Sequence, residues 1–99
     1  MALTPAWPEA YWKMANLLAG EERHGEAIEF VRKALQLARQ QPCTDDEMEL
    51  MYDVLVTSLE AIGRHQEALA VVRSGLAQIG SDVLMSHYRR LSSGKTQEP

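Results

Sequence analysis

Apolar residues recur along most of the chain at intervals of three and four positions. The longest run steps by four, three, four and three residues: Met48, Tyr52, Leu55, Leu59 and Ile62. Two shorter runs with the same spacing begin at Ile28 and at Leu69. This spacing places the apolar side chains on one face of an α-helix, and no stretch sustains the alternation typical of a half-buried strand. The pattern therefore predicts an all-α fold built from amphipathic helices.

Residues that favour helix ends divide this pattern into about five helices. Pro8 suits a first helical turn, because its missing N–H needs no partner there. Thr44 and Glu47 have the spacing of a capping box at the start of a third helix, and Gly63 suits the position that follows its end. The other four helices are expected over residues 8–19, 25–40, 65–79 and 82–91, with Ser81 or Asp82 as the cap of the last.

The chain also repeats itself at an offset of 41 residues. Two pairs of segments match at this offset: 23–28 with 64–69, and 31–35 with 72–76. Each unit is too small to bury its own apolar face, so neighbouring units are expected to stack. A chain of 99 residues fits one small domain. We predict a single domain over residues 1–91 and a disordered tail over residues 92–99.

The paired helices resemble tetratricopeptide (TPR) repeats. Ala27 and Ala68 carry the resemblance, since each follows a glutamate and precedes an aliphatic residue, as in the family pattern. The resemblance implies a right-handed superhelix of antiparallel helix pairs, with repeat 1 over about 9–41, repeat 2 over about 45–80 and a capping helix over about 82–91. The chain departs from the family in its period of 41 rather than 34 residues, and in having aliphatic residues where aromatic ones are usual.

In the TPR family the first helices of each pair line a groove that takes a peptide or a helix. The resemblance places seven residues of this chain on that groove: Glu9, Trp12, Asn16, Ala19, Asp53, Thr57 and Glu60. A ligand with an apolar anchor and some basic character would suit this set. The alternative is a solvated helix face on which Trp12 packs against Trp7 or another nearby residue. The uncovered N-terminal end also predicts that Trp7 or Trp12 contacts another chain.

Three functions without catalysis are compatible with this pattern. The first is a protein-protein interaction module that binds a peptide or helix of a partner protein. The second is a small chaperone or assembly factor, similar to bacterial secretion chaperones, that protects an aggregation-prone helix. The third is a self-assembling homodimer, because two repeats are fewer than the three usually needed for a stable stack.

Composition and charge narrow these choices. The net charge of −4 argues against a nucleic-acid partner, and the basic set His87, Arg89, Arg90 and Lys95 is too small for such a footprint. That set could instead help the last helix to meet an acidic partner. No apolar stretch is long enough for a membrane span, and no signal peptide is visible. With a single cysteine, Cys43, we expect a cytoplasmic protein.

No residue pattern points to catalysis or to a cofactor. Phosphate-binding loops and nucleophile motifs are missing, so we predict that the chain is not an enzyme. His24 and His65 occupy equivalent repeat positions in turns between helices, where a ring usually packs, and no metal-ligand spacing links them to Cys43. We therefore predict no metal site and a free Cys43 thiol without a role. The alternative is a redox-sensitive or disulfide-linked dimer formed through this thiol.

Overall fold

The computed structural model describes residues 8–40 and 43–96, and this part of the chain is all-helical. Five helices follow one another: α1 (Pro8–Gly20), α2 (His24–Ala38), α3 (Asp45–Ala61), α4 (His65–Gln78) and α5 (Asp82–Thr96). The predicted all-α class and the number of helices are confirmed. Trp7 lies outside the described residues, so its predicted contact has no structural counterpart here.

The last helix is longer than the sequence predicted. The sequence predicts a disordered tail over residues 92–99, but helical backbone continues to Thr96. Of this predicted tail, only the backbone of residues 97–99 lies outside the described part of the chain. Leu91 is buried in the core and Ser92 is half-buried. The helix is therefore still held against the domain where the tail was expected to begin. Gly94 does not end it, since one glycine weakens a helix by only about 1 kcal/mol.

Helices that are neighbours in sequence pack against each other, and the connections within each pair are short. In addition, α1 contacts α3 and α3 contacts α5, whereas the described backbones of α2 and α4 do not come close. The helices thus form two layers, with α1, α3 and α5 in one and α2 and α4 in the other. The shortest dimension of the molecule, 16 Å, is about that of two packed helices.

The turn that closes each helix pair has the same geometry in both repeats. In the first, the Arg23 N–H donates to the Leu18 carbonyl at 2.9 Å; in the second, Arg64 donates to Leu59 at the same distance. These are the long hydrogen bonds of a Schellman motif, which needs a left-handed residue just after the helix. Glu22, with φ of 65°, fills that position in the first turn, and Gly63, with φ of 85°, fills it in the second. Gly63 is therefore confirmed as the residue that follows α3.

Side chains cap two of the helices. Thr44 accepts a hydrogen bond from the Glu47 N–H at 3.1 Å, while the Glu47 carboxylate accepts from the Thr44 N–H at 3.0 Å. This confirms the predicted capping box of α3. At the start of α5, the Ser81 hydroxyl accepts from the Leu84 N–H at 3.1 Å. Of the two candidate caps, Ser81 is the one that the structure selects.

Small residues let the helices approach in the core. Ala27 and Ala68 are fully buried, and so are Val31 and Val72 at the next equivalent positions. Gly75 marks the tightest approach, because a Cβ there would lie 2.8 Å from Leu84 Cδ1 and 3.1 Å from the Tyr52 ring. Residue 75 therefore has to be small for α4 to fit between α3 and α5.

Candidate protein-binding surface

The groove residues expected on α1 lie at different depths. Glu9 and Asn16 are exposed, and the Glu9 carboxylate pairs with Lys13 at 2.8 Å, one helical turn away. Ala19 and Trp12 are partly buried and pack against the core. The Trp12 Nε1 atom is buried with no hydrogen-bond partner in the described part of the chain. Trp12 is thus mainly a packing residue within its own chain, and of this group only Glu9 and Asn16 project into solvent.

The groove residues expected on α3 are engaged by α5. The Asp53 carboxylate lies 2.6 Å from His87 Nε2, and the Glu60 carboxylate accepts from Arg90. Arg90 also donates to His87 Nδ1, so the four side chains form one connected network. A guanidinium can only donate, so Nδ1 is the accepting nitrogen and Nε2–H donates to Asp53. Two members of the basic set, His87 and Arg90, therefore have acidic partners within the same chain.

The third predicted residue of α3 is also satisfied locally. Thr57 is exposed, but its hydroxyl donates to the Asp53 carbonyl at 2.9 Å and reaches the Val54 carbonyl at 3.1 Å. Both acceptors lie one turn back on the same helix, a common arrangement for threonine in helices. The α3 side of the expected groove therefore offers a partner few unengaged polar groups while α5 is in place.

The most exposed large apolar side chain, Leu17, lies on α1, while Leu50, Ile62, Val83 and Met85, on or beside α3 and α5, are exposed to a smaller extent. Met14 is 42% exposed and Leu17 is 57% exposed, and with Ala10 they form a stripe along one side of the helix. We call these three residues the α1 stripe. Their equivalents in repeat 2 are Met51, Leu55 and Ser58, which are 0%, 3% and 0% exposed. The second repeat buries these positions, while the first presents them to solvent.

The sequence could have revealed the α1 stripe, but its apolar periodicity alone did not. Met14 is exposed although its equivalent, Leu55, is buried. Leu17 is exposed although its equivalent, Ser58, is fully buried. The informative signal is that polarity and burial are reversed at one pair of equivalent positions. The exposed member of the pair is leucine, and the buried member is serine. Exposed helix positions normally carry polar residues, so neighbouring apolar ones suggest a contact surface.

The groups considered for metal binding or reactivity stay apart in the structure. In residues 8–40 and 43–96, no three His, Cys, Asp or Glu side chains converge as a metal site would require. Cys43 is half-buried, and burial, with a smaller contribution from the negative charge of Glu47, raises the pKa of its thiol. A raised pKa keeps the sulfur protonated and makes it a weaker nucleophile.

The remaining histidines lie at the starts of helices. His24 begins α2 and is partly buried, whereas His65 begins α4 and is exposed. The predicted role of turn packing therefore suits His24 better than its equivalent. Among the described helices, none has the length and apolar character needed to cross a bilayer.

The candidate surface is interpreted from this geometry alone, because comparisons of the whole chain with known proteins add nothing to it. Neither the protein-family models, nor the curated proteins, nor the solved structures contain a match to the sequence or the fold.

Proposed function

We propose that this chain is a non-catalytic interaction module of the TPR type, a right-handed stack of two helix pairs with α5 as its cap. The two-layer order of the helices supports this proposal, as do the close-packed Ala27 and Ala68. The module binds a helix of a partner protein. The α1 stripe is the main contact surface, with Glu9 and Asn16 beside it.

One observation carries this proposal: the α1 stripe is apolar and exposed where the equivalent face of repeat 2 is buried. A helix of the partner would bury Met14 and Leu17, whose equivalent positions on α3 are already buried within this chain. Because Met14 and Leu17 are already about half buried, covering the rest of each stabilises a complex by roughly 0.7–1.5 kcal/mol, before the cost of association. The polar neighbours would fix the orientation of the bound helix.

A photo-crosslinking experiment tests the proposal. Met14→p-benzoylphenylalanine is expressed in the source cells, irradiated and analysed by mass spectrometry. We expect one dominant crosslinked protein, and we expect the crosslink to disappear when Leu17→Glu is added. The matched control carries the same photoreactive residue at Arg73, which is exposed on α4. The same set of proteins from both positions, or none from position 14, would contradict the proposal.

A second candidate is a homodimer formed through the same stripe. The two ends of the α1 stripe differ in the size of their side chains, with Ala10 at one end and Leu17 at the other. An antiparallel second copy would therefore place a small residue opposite a large one at both ends. Sedimentation equilibrium over a dilution series, with reductant present, separates the two candidates. A dimer that Leu17→Glu dissociates, and that Lys33→Glu on α2 leaves intact, would favour self-assembly. A monomer at all concentrations excludes it.

A further inference from the structure

A second surface lies on the other side of the molecule, between α2 and α4. A cleft of about 290 Å³ opens there, and its floor is formed mainly by α3. Its apolar lining comes from three helices: Leu35, Met48, Tyr52, Leu55 and Val71. Along α3, the floor residues lie on the opposite side from Asp53, Thr57 and Glu60, given 3.6 residues per turn. None of the described residues that line the cleft belongs to α1, so the cleft is separate from the α1 stripe.

The rim of this cleft differs in charge from the rest of the chain. It consists of Arg32, Arg39, Gln36, Ser74 and Gln78, and none of the described residues that line the cleft carries a carboxylate. The chain as a whole has a net charge of −4, so a cleft whose described lining has two arginines and no carboxylate is a distinct electrostatic feature. Arg32 pairs with Glu67 at 2.5 Å, at the outer edge. In the described part of the chain, Arg39 has no carboxylate within the 4.0 Å of an ion pair.

The size of the cleft limits what it can hold. Sites for cofactors and drug-sized molecules usually occupy about 300–1,000 Å³, so this one lies at the lower limit. One or two side chains of a peptide would fill it. The apolar floor requires that one of them be large and apolar, and the arginine rim favours neighbouring carboxylates.

We propose that this cleft binds an acidic peptide segment of a partner protein that carries a large apolar side chain. The apolar side chain lies on the floor between Leu35 and Val71. A flanking carboxylate pairs with Arg39, and a second one shares Arg32 with Glu67. The amides of Gln36 and Gln78 can hydrogen-bond to the peptide backbone. The module would then contact two partners on opposite sides.

A nuclear magnetic resonance titration of the full chain tests this inference. The probe is a capped hexapeptide of sequence EELFEE, and the controls are KKLFKK and EESSEE. We expect EELFEE to give saturable shifts of backbone amides lining the cleft on α2 and α4, and we expect added salt to weaken them. Both controls should bind at least about tenfold more weakly, since one lacks the charge and the other the anchor.

Two charge reversals localise the binding. Arg39→Glu should weaken EELFEE about tenfold, whereas Arg73→Glu, the same change at an exposed position of α4 outside the cleft, should leave it unchanged. Both changes are at the surface, and circular dichroism checks that the variants are folded. Ser74→Trp, which fills the rim, should also weaken binding.

The inference is overturned by any of four results. These are shifts centred on α1 or α5, equal binding of KKLFKK, equal effects of the two charge reversals, and no saturable shift up to roughly 5 mM peptide. The crosslink from position 14 tests the α1 stripe without this peptide, so failure here is distinguishable from failure of the proposed function.

Discussion

The two repeats have the same turn and the same buried small residues, yet they differ in which of their faces is covered. Repeat 2 lies between repeat 1 and α5, and its Leu55 and Ser58 are buried. In repeat 1 the equivalent residues, Met14 and Leu17, are exposed. Burial in this molecule thus follows from the position of a repeat in the stack as well as from residue type. Repeats can match closely in sequence and still have different roles.

The largest expected change in stability comes from a comparison of the two ends of the stack. Leu84 of α5 is fully buried at the capped end, whereas Leu17 is 57% exposed at the other. We expect Leu84→Ala to lower the free energy of unfolding by about 3 kcal/mol, because it leaves a cavity beneath the cap. Leu17→Ala should change it by less than about 0.5 kcal/mol in the isolated chain. Urea denaturation measures both. Equal losses would show that the two ends are equally covered in solution.

The second test exchanges the small residues at equivalent positions 34 and 75. Gly75→Ala places a methyl group 2.8 Å from Leu84 Cδ1, and overpacking should outweigh the gain in helix propensity, with a net loss of about 1–2 kcal/mol. Ala34→Gly removes a fully buried methyl group and a good helix former, so it should also lose about 1–2 kcal/mol. Thermal unfolding measures both variants. If Gly75→Ala stabilises the protein, the approach of α4 to Tyr52 is looser than described.

The third test concerns the two turns, which share a conformation but not a residue. Gly63→Ala should destabilise the protein by about 1 kcal/mol, since an alanine with positive φ is strained. Glu22→Gly relieves that strain and should stabilise by about 0.5 kcal/mol after the greater freedom of the unfolded chain is subtracted. Chemical denaturation should therefore show changes of opposite sign in the free energy of unfolding of these two variants. Two changes of the same sign would mean that the turns are not equivalent.

A small effect is also expected at Ser58, the buried equivalent of Leu17. Its hydroxyl has no hydrogen-bond partner in the described part of the chain. Ser58→Ala removes an unsatisfied buried group with little change of shape, so we expect a gain of roughly 0.5–1 kcal/mol. Ser86→Ala, at an exposed position of α5, is the control and should be neutral. A loss of stability in Ser58→Ala would reveal a hydrogen bond that this geometry does not contain.

Much of the local structure could be predicted from the sequence, because short-range interactions decide it. The capping box of Thr44 and Glu47 spans three residues, and the preference of Gly63 for positive φ belongs to that residue alone. The end of α5 was predicted less well. Leu91 and Ser92 are held by packing against the core, which the local pattern of the tail does not contain.

The candidate surface was predicted only in part. Asp53 and Glu60 were placed on the correct helix, but the sequence did not show that α5 would engage both of them. Their partners, His87 and Arg90, lie at least thirty residues away along the chain. The cleft between α2 and α4 was not foreseen either, since it exists only where three helices meet.

The sequence by itself determined the all-α class, the number of helices, the capping box of α3 and the repeat, because these depend on contacts a few residues apart and on the intrinsic preferences of single residues. The tertiary structure decided which equivalent residues are covered and which charges are already paired. Met14 and Leu55 occupy the same place in their repeats, and only the presence of a neighbouring helix pair makes one exposed and the other buried. Burial is a property of the assembled stack, since apolar area is removed from water only where another element covers it.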